Sequence, residues 1–244
     1  MTDIASSIYH GVQFKAEKRF SQGLAFMGTY TFSRNINTGG DGFNSSASPQ
    51  DPTCIECDKA LSTFHRKNLF AMNFIYELPF GKGKRYGADL SGAANHILGG
   101  WQFNGIITAS SGQPLNVSIP RDVANIGARS VSQRPNVNGD PNIDSPTADR
   151  WFDTSVFSEP APYTFGNAGR NLVIGPNNQT WTLGFFKNFL IAEPHRLQFR
   201  VEFFNAFNNV NLNNPEGNFD SPNFGRINGS ATARQIQFGL KYYF

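Results

Sequence analysis

The stretch RQIQFGLKYYF, residues 234–244, decides the fold. Ile236, Phe238, Leu240, Tyr242 and Phe244 fall on one face, and Gln235, Gln237, Gly239, Lys241 and Tyr243 on the other. Period two over this length predicts a strand whose faces meet different surroundings. Termini that nothing ties down are usually loose and polar, so an aromatic end predicts an anchored strand.

The alternation recurs six times upstream. VQFKAEKRF sets Val12, Phe14 and Ala16 against Gln13, Lys15 and Glu17, and an SQG turn leads into LAFMGTYTF with Leu24, Phe26, Tyr30 and Phe32 on one side. NLFAMNFIYEL aligns Phe70, Met72, Phe74, Tyr76 and Leu78; WQFNGIITAS aligns Trp101, Phe103, Gly105, Ile107 and Ala109. TWTLGFFKNF gives Trp181, Leu183 and Phe185, and RLQFRVEFF gives Leu197, Phe199, Val201 and Phe203. Each segment is close to the roughly nine to eleven residues a tilted strand needs to cross a bilayer. The apolar faces are crowded with rings and carry no charge near their midpoints, as expected of a face turned to lipid. Phe26, Tyr30, Phe74, Tyr76, Trp101, Phe103, Trp181 and Phe199 are therefore read as lipid-facing or interfacial-girdle residues. Arg200 and Glu202 share a polar face, where pairing with neighbours is expected.

Connection lengths add a second signal. SQG and IAEPH are short and 79–100 is moderate, whereas 34–66, 111–178 and 208–233 are long and polar. Short periplasmic turns alternating with long extracellular loops describe an outer-membrane barrel and make the seventh strand run inward. Single-chain bacterial barrels have an even number of strands, and seven with open edges would invite aggregation. The chain is thus expected to be part of a larger barrel; a further strand within 111–178 is the alternative.

Composition narrows the classes. A chain of 244 residues with a net charge of +3 and no basic run gives no electrostatic basis for nucleic-acid binding. Gly, Pro, Asn and Ser interrupt every stretch that could form a long helix, and none approaches the roughly 18 apolar residues of a spanning helix. The mean hydropathy of −0.38 would suit a soluble protein, but alternating faces average to the same value. The opening MTDIASSIYHG lacks the charged and apolar regions of a signal peptide, so the expectation is an intracellular protein or a piece of a longer one.

Catalysis and metal binding find little support. His10, His65, His96 and His195 have no nucleophile or paired carboxylates beside them in sequence, so no enzymatic activity, cofactor or metal is expected. Cys54 and Cys57, in DPTCIECD, form a lone CxxC pair in a polar loop. Such a pair can bind metal, exchange disulfides or bridge; in an oxidising compartment the expectation is a local disulfide. NVNGDPNID spaces Asn138, Asp140, Asn142 and Asp144 like oxygen ligands for calcium but lacks the Gly and terminal Glu of an EF-hand loop. GKGKRYG lacks P-loop spacing and reads as a basic turn, either near headgroups or simply solvated. Loop aromatics Phe43, Trp151, Phe152, Phe157, Tyr163, Phe165, Phe219 and Phe224 are candidates either for ligand contact or for packing loop on loop.

Several runs then carry a family resemblance. YHGVQFKAEKRFSQGL, YELPFGKGKR, GGWQFNGIITASSGQPLNV, FGNAGRNLVIGP, LQFRVEFFNAFNNVN and FGRINGSATARQIQFGLKYYF, spread over residues 9–244, resemble the C-terminal barrel of TonB-dependent transporters, above all the Oar-like branch. The resemblance implies a barrel of about 22 strands around a plug, in the outer membrane of a Gram-negative-type cell. It also implies import energised through the TonB complex. Signal peptide, regulatory-like N-terminal domain, plug and TonB box have no counterpart in these residues. Phe238, Leu240, Tyr242 and Phe244 resemble the terminal signal read by the barrel-assembly machinery. The implied partners are outer-membrane lipid, the rest of the barrel and its plug, the TonB complex and that machinery. The alternatives are a smaller complete porin or adhesin-like barrel, or a secreted carbohydrate-binding β-sandwich.

Overall fold

A computed structural model describes residues 5–39, 49–127 and 133–244. Seven long strands form one antiparallel sheet in sequence order. They are β1 (Ser7–Ser21), β2 (Leu24–Asn37), β3 (Asn68–Glu77), β4 (Trp101–Ser110), β5 (Asn178–Ala192), β6 (His195–Phe204) and β7 (Gln235–Tyr243). The seven expected segments all appear, and most lengthen at their ends. The 111–178 stretch holds only two-residue strands among its described residues, so the sheet gains no further wall strand there. Residues Ala60–Leu61 pair with the outer end of β2.

Register fixes the faces. Directly opposed residues share a face, and the pairs run Phe14–Tyr30–Phe70–Ala109 and Tyr76–Phe103–Phe185–Val201–Phe238 without a slip. All eight expected girdle residues lie on this one apolar face. Its rings form a belt, with Phe103 between Phe74 at 5.1 Å and Phe185 at 4.7 Å between centroids. Gly105 sits where a side chain would collide: a Cβ would meet Phe74 at 2.7 Å and Leu183 at 2.8 Å. Leaving that space empty lets the belt close over the backbone.

Two features depart from the expected pattern. Lys187 lies on the apolar face, opposite Trp101 and Phe199, yet is almost fully buried. The opposite face is not uniformly polar, since Met27, Leu69, Ile75 and Ile106 are exposed on it among the amides and charges. Period two assigns a residue to a face; it does not say what covers that face locally.

The β1–β2 turn is two residues long, with Gln22 at φ 52° and Gly23 at φ 81°. Positive φ at both positions is what a tight hairpin matched to strand twist requires. The hydrogen-bonded row Lys18–Phe26–Phe74–Gly105–Leu183–Phe203–Ile236 starts three residues from the inner end of β1 and reaches the second residue of β7, at its outer end. Such a climb is the stagger of strands tilted to a barrel axis. The sheet is open: β1 pairs only with β2, and β7 only with β6, among the described residues.

The faces can be separated experimentally with neighbouring residues. In a bilayer, Phe74→Arg should cost about 2–4 kcal/mol, whereas Asn73→Arg, one residue away on the other face, should cost far less. Reversible urea unfolding of the protein in lipid vesicles measures both. Equal losses would refute the assignment of faces.

Candidate functional site

The described residues of the three long connections form one cap over the outer end of the sheet. Its apolar core is built from Val117, Phe152, Phe157, Ala168 and Val173, flanked by Trp151, Phe219 and Phe224. Phe224 meets Phe152, Phe157 and Phe219 edge-on at 5.2, 5.7 and 5.5 Å. Edge-to-face rings add about 0.5–1.5 kcal/mol per pair beyond their area. The second and third connections therefore share one core. The aromatics divide accordingly: Phe152, Phe157, Phe219 and Phe224 pack loop on loop, Trp151 donates its indole N–H to Ile174 O, and Phe165 is half-buried. Tyr163 is 75 % exposed and faces solvent. Phe43 lies outside the described residues.

A buried polar network joins the first connection to the second. Arg134 donates to a carboxylate oxygen of Asp58 at 2.5 Å, with both side chains about 5 % exposed or less. Gln50 ties the pair in: its backbone N–H donates to Asp58, its side-chain Oε1 accepts from the Arg134 backbone N–H, and its side-chain Nε2 donates to Gly166 O. Arg170 reaches Asp58 O and Asn37, and Asn171 donates to Leu61 O. Cys54 and Cys57 are joined as a disulfide across the 3₁₀ turn Ile55–Asp58, which ends on Asp58. The bridge thus closes the turn that delivers the buried carboxylate.

On the cap's surface, Arg121 grips Asp220 with two hydrogen bonds of 2.7 and 2.8 Å and Glu159 with one of 2.8 Å. The guanidinium holds the Asp220 carboxyl below its usual range. Asp140 Oδ1 accepts from the N–H and the side-chain amide of Asn142, at 2.9 and 2.6 Å. Burial, then the charges of Arg34, Arg66 and Lys67, push the His65 imidazole below its ordinary range, and its Nδ1 accepts from Asn35 N–H.

Beneath the cap the polar face carries a concavity of about 410 Å³. Asn73, Asn104, Thr182 and Glu202 line it beside Ala25, Ile75 and Ile106. Nearer the inner end, Arg200 donates to Gln198 and Tyr243 and lies over the Phe186 ring at 4.7 Å, so it pairs with neighbours on its own face. Amides, a hydroxyl and one carboxylate beside aliphatic side chains offer hydrogen-bonding and apolar surface to a small polar molecule. At the inner rim, Tyr242 O–H and His195 Nδ1 lie 2.6 Å apart with their rings stacked, and Phe244 stacks on Tyr242 at 6.0 Å. Phe238 and Leu240 remain 68 % exposed on the apolar face. Sequence reasoning found the strand residues by their alternation. It missed Gln50, Asp58, Arg134 and Arg170, because the hydrogen bonds by which they join the connections span 76 to 133 residues.

A family model described as an outer membrane beta barrel domain matches residues 1–237. No curated protein and no solved structure gives a significant match.

Breaking the buried pair should unlock the cap. Asp58→Asn or Arg134→Met leaves a buried partner uncompensated and should cost about 3–5 kcal/mol, read as faster hydrogen exchange across 49–66 and 133–171. Arg121→Ala, at an exposed pair, should cost about 1 kcal/mol or less. Unchanged exchange in Asp58→Asn would show that the network is not what holds the loops.

Acid should loosen the same connection. Because the folded state holds His65 neutral, it binds fewer protons than the unfolded chain. The contribution is complete above the ordinary value of about 6.5 and is lost as pH falls through the lower folded value. Protease cleavage within 49–66 should therefore rise between neutral pH and about pH 5, and His65→Gln should flatten that dependence.

Proposed function

Because this chain belongs to the outer membrane β-barrel domain family, which places it in the outer membrane of a Gram-negative bacterium, we propose that it forms part of the wall of a TonB-dependent transporter of the Oar-like kind. The observation that carries this reading is a seven-stranded sheet with barrel stagger and two unpaired edges, capped at its outer end by long, interlocked connections. A barrel leaves no edge, because each open edge exposes a row of backbone donors and acceptors to lipid. Further strands close this wall in the proposed barrel, and at about 22 strands its lumen is wide enough to need a plug.

In this reading the three outer connections recognise the substrate, and Tyr163 is the aromatic of the cap best placed to touch it. The concavity bounded by Asn73, Asn104, Thr182 and Glu202 then lies on the substrate's path, and the exposed Met27, Ile75 and Ile106 face the plug. Energy reaches the wall through TonB acting on parts beyond these strands. The barrel-assembly machinery reads the inner-rim signal of Phe238, Leu240, Tyr242 and Phe244. No step requires bond chemistry from the protein, so it acts as a transporter and not as an enzyme.

The reading ahead of residue 1 in the same gene tests this directly. A plug-like segment and a TonB box, with substrate uptake lost in cells lacking TonB, is the expected result. A signal peptide immediately before residue 1, with steady open-channel conductance of the purified protein in planar bilayers, would establish a small porin instead.

A further inference from the structure

The concavity on the polar face is built around a glycine. Its lining comes from two adjacent rows of the ladder. One runs Ala25–Ile75–Asn104–Gly184–Glu202, and the other, one step nearer the cap, runs Asn73–Ile106–Thr182. Directly opposed residues share a face, and these positions alternate with Phe74, Phe103, Leu183 and Phe203 of the apolar face. Every side chain in the two rows therefore belongs to the polar side.

Gly184 is buried and forms the floor. A Cβ there would collide with Asn104 Oδ1, so the Asn104 amide lies over the strand that carries the glycine. Glu202 stands on the next strand, with its backbone roughly 10 Å from that of Asn104 across the glycine. It is the single charged residue lining the concavity. Pairing is expected of both Arg200 and Glu202, which share this face. Arg200 meets Gln198, Tyr243 and the Phe186 ring. Glu202, half-buried, has no ion-pair or hydrogen-bond partner among the described residues. The side chains of Asn73, Asn104 and Thr182 are likewise unengaged there. A half-buried carboxylate with no counter-charge, set in a hollow of about 410 Å³, favours a cationic occupant.

We infer that this hollow binds the protonated amino group of a small organic cation, in its simplest form a primary alkylamine. An ammonium has three donors, and the Glu202 carboxylate, Asn104 Oδ1 and the Thr182 hydroxyl accept them. Ile75 and Ile106, which the transporter reading turns toward the plug, cover the carbon chain together with Ala25. Gly184 acts through Asn104, by leaving room for its amide beside Glu202. The inference names a solute class for the transporter reading and rests on it for the polar face lining a lumen.

The test uses the chain labelled with nitrogen-15 asparagine and folded into phosphatidylcholine bicelles. Butylammonium, 1-butanol and butyrate are titrated at neutral pH and fixed ionic strength while the side-chain amide signals are followed. Butylammonium should shift the Asn104 amide saturably, at a concentration at least about tenfold below that needed for butanol, and butyrate should not shift it. Glu202→Gln should raise the butylammonium requirement at least about tenfold, and Gly184→Ala should raise it by displacing Asn104. The Asn188 amide group, bonded to Gln198, reports whether the wall is still folded in each variant. An equal response to butanol, or an unchanged response in folded Glu202→Gln, would overturn the cation site and leave the wall and transporter readings standing. Broadening of the Asn104 amide by a nitroxide on the lipid chains, in place of a water-soluble gadolinium chelate, would set this face against lipid and overturn both.

Discussion

Backbone hydrogen bonding in lipid constrains everything else in this protein. Hydrocarbon offers no partner for a peptide group, so each wall strand must spend its donors and acceptors on its neighbours. The ladder from β1 to β7 does this through six successive antiparallel pairings. Once the ladder is fixed, side-chain direction is no longer free. A slip of one residue would turn Phe103 and Phe185 inward and bring Gln102 and Phe186 out. The rings over Gly105, and the buried Lys187 held by carbonyls at the end of the short helix Gly92–Leu98, are local solutions to problems that this rule creates.

The cap follows a different logic. It lies where water is available, yet it has the only sizeable apolar core among the described residues. Long connections are usually read as adaptable, but these are cross-braced in two ways. Aromatic edges join the second and third connections, and the Asp58–Arg134 pair with Gln50 joins the first and second. A braced cap loses less conformational entropy when it binds than free loops would.

The wall was legible in the sequence because its signal is local. WQFNGIITAS is observed as Trp101–Ser110, and the terminal alternation as Gln235–Tyr243, since period two needs only adjacent residues to be read. The cap was not legible, for the opposite reason. Nothing near Asp58 announces Arg134, and nothing near Phe152 announces Phe224; these contacts exist only after the strands have set the loop ends in place. Lys187 falls between the two cases. Its parity put it on the apolar face, but the carbonyls that make this tolerable come from a short helix some ninety residues earlier.

The stagger of the ladder also separates two kinds of neighbourhood. Residues joined along one hydrogen-bonded row, from Lys18 to Ile236, lie at successively greater heights, like points on the thread of a screw. In the proposed transporter, a solute descending through the lumen would move along the axis and not along the thread. It crosses a different strand of the ladder at each depth, and residues it meets at the same moment are offset from one another in register. Effects of lumen substitutions on passage should therefore group by height in the membrane, while their effects on strand pairing group by row. In that reading the same wall would be met in one coordinate by its cargo and in another by its own folding.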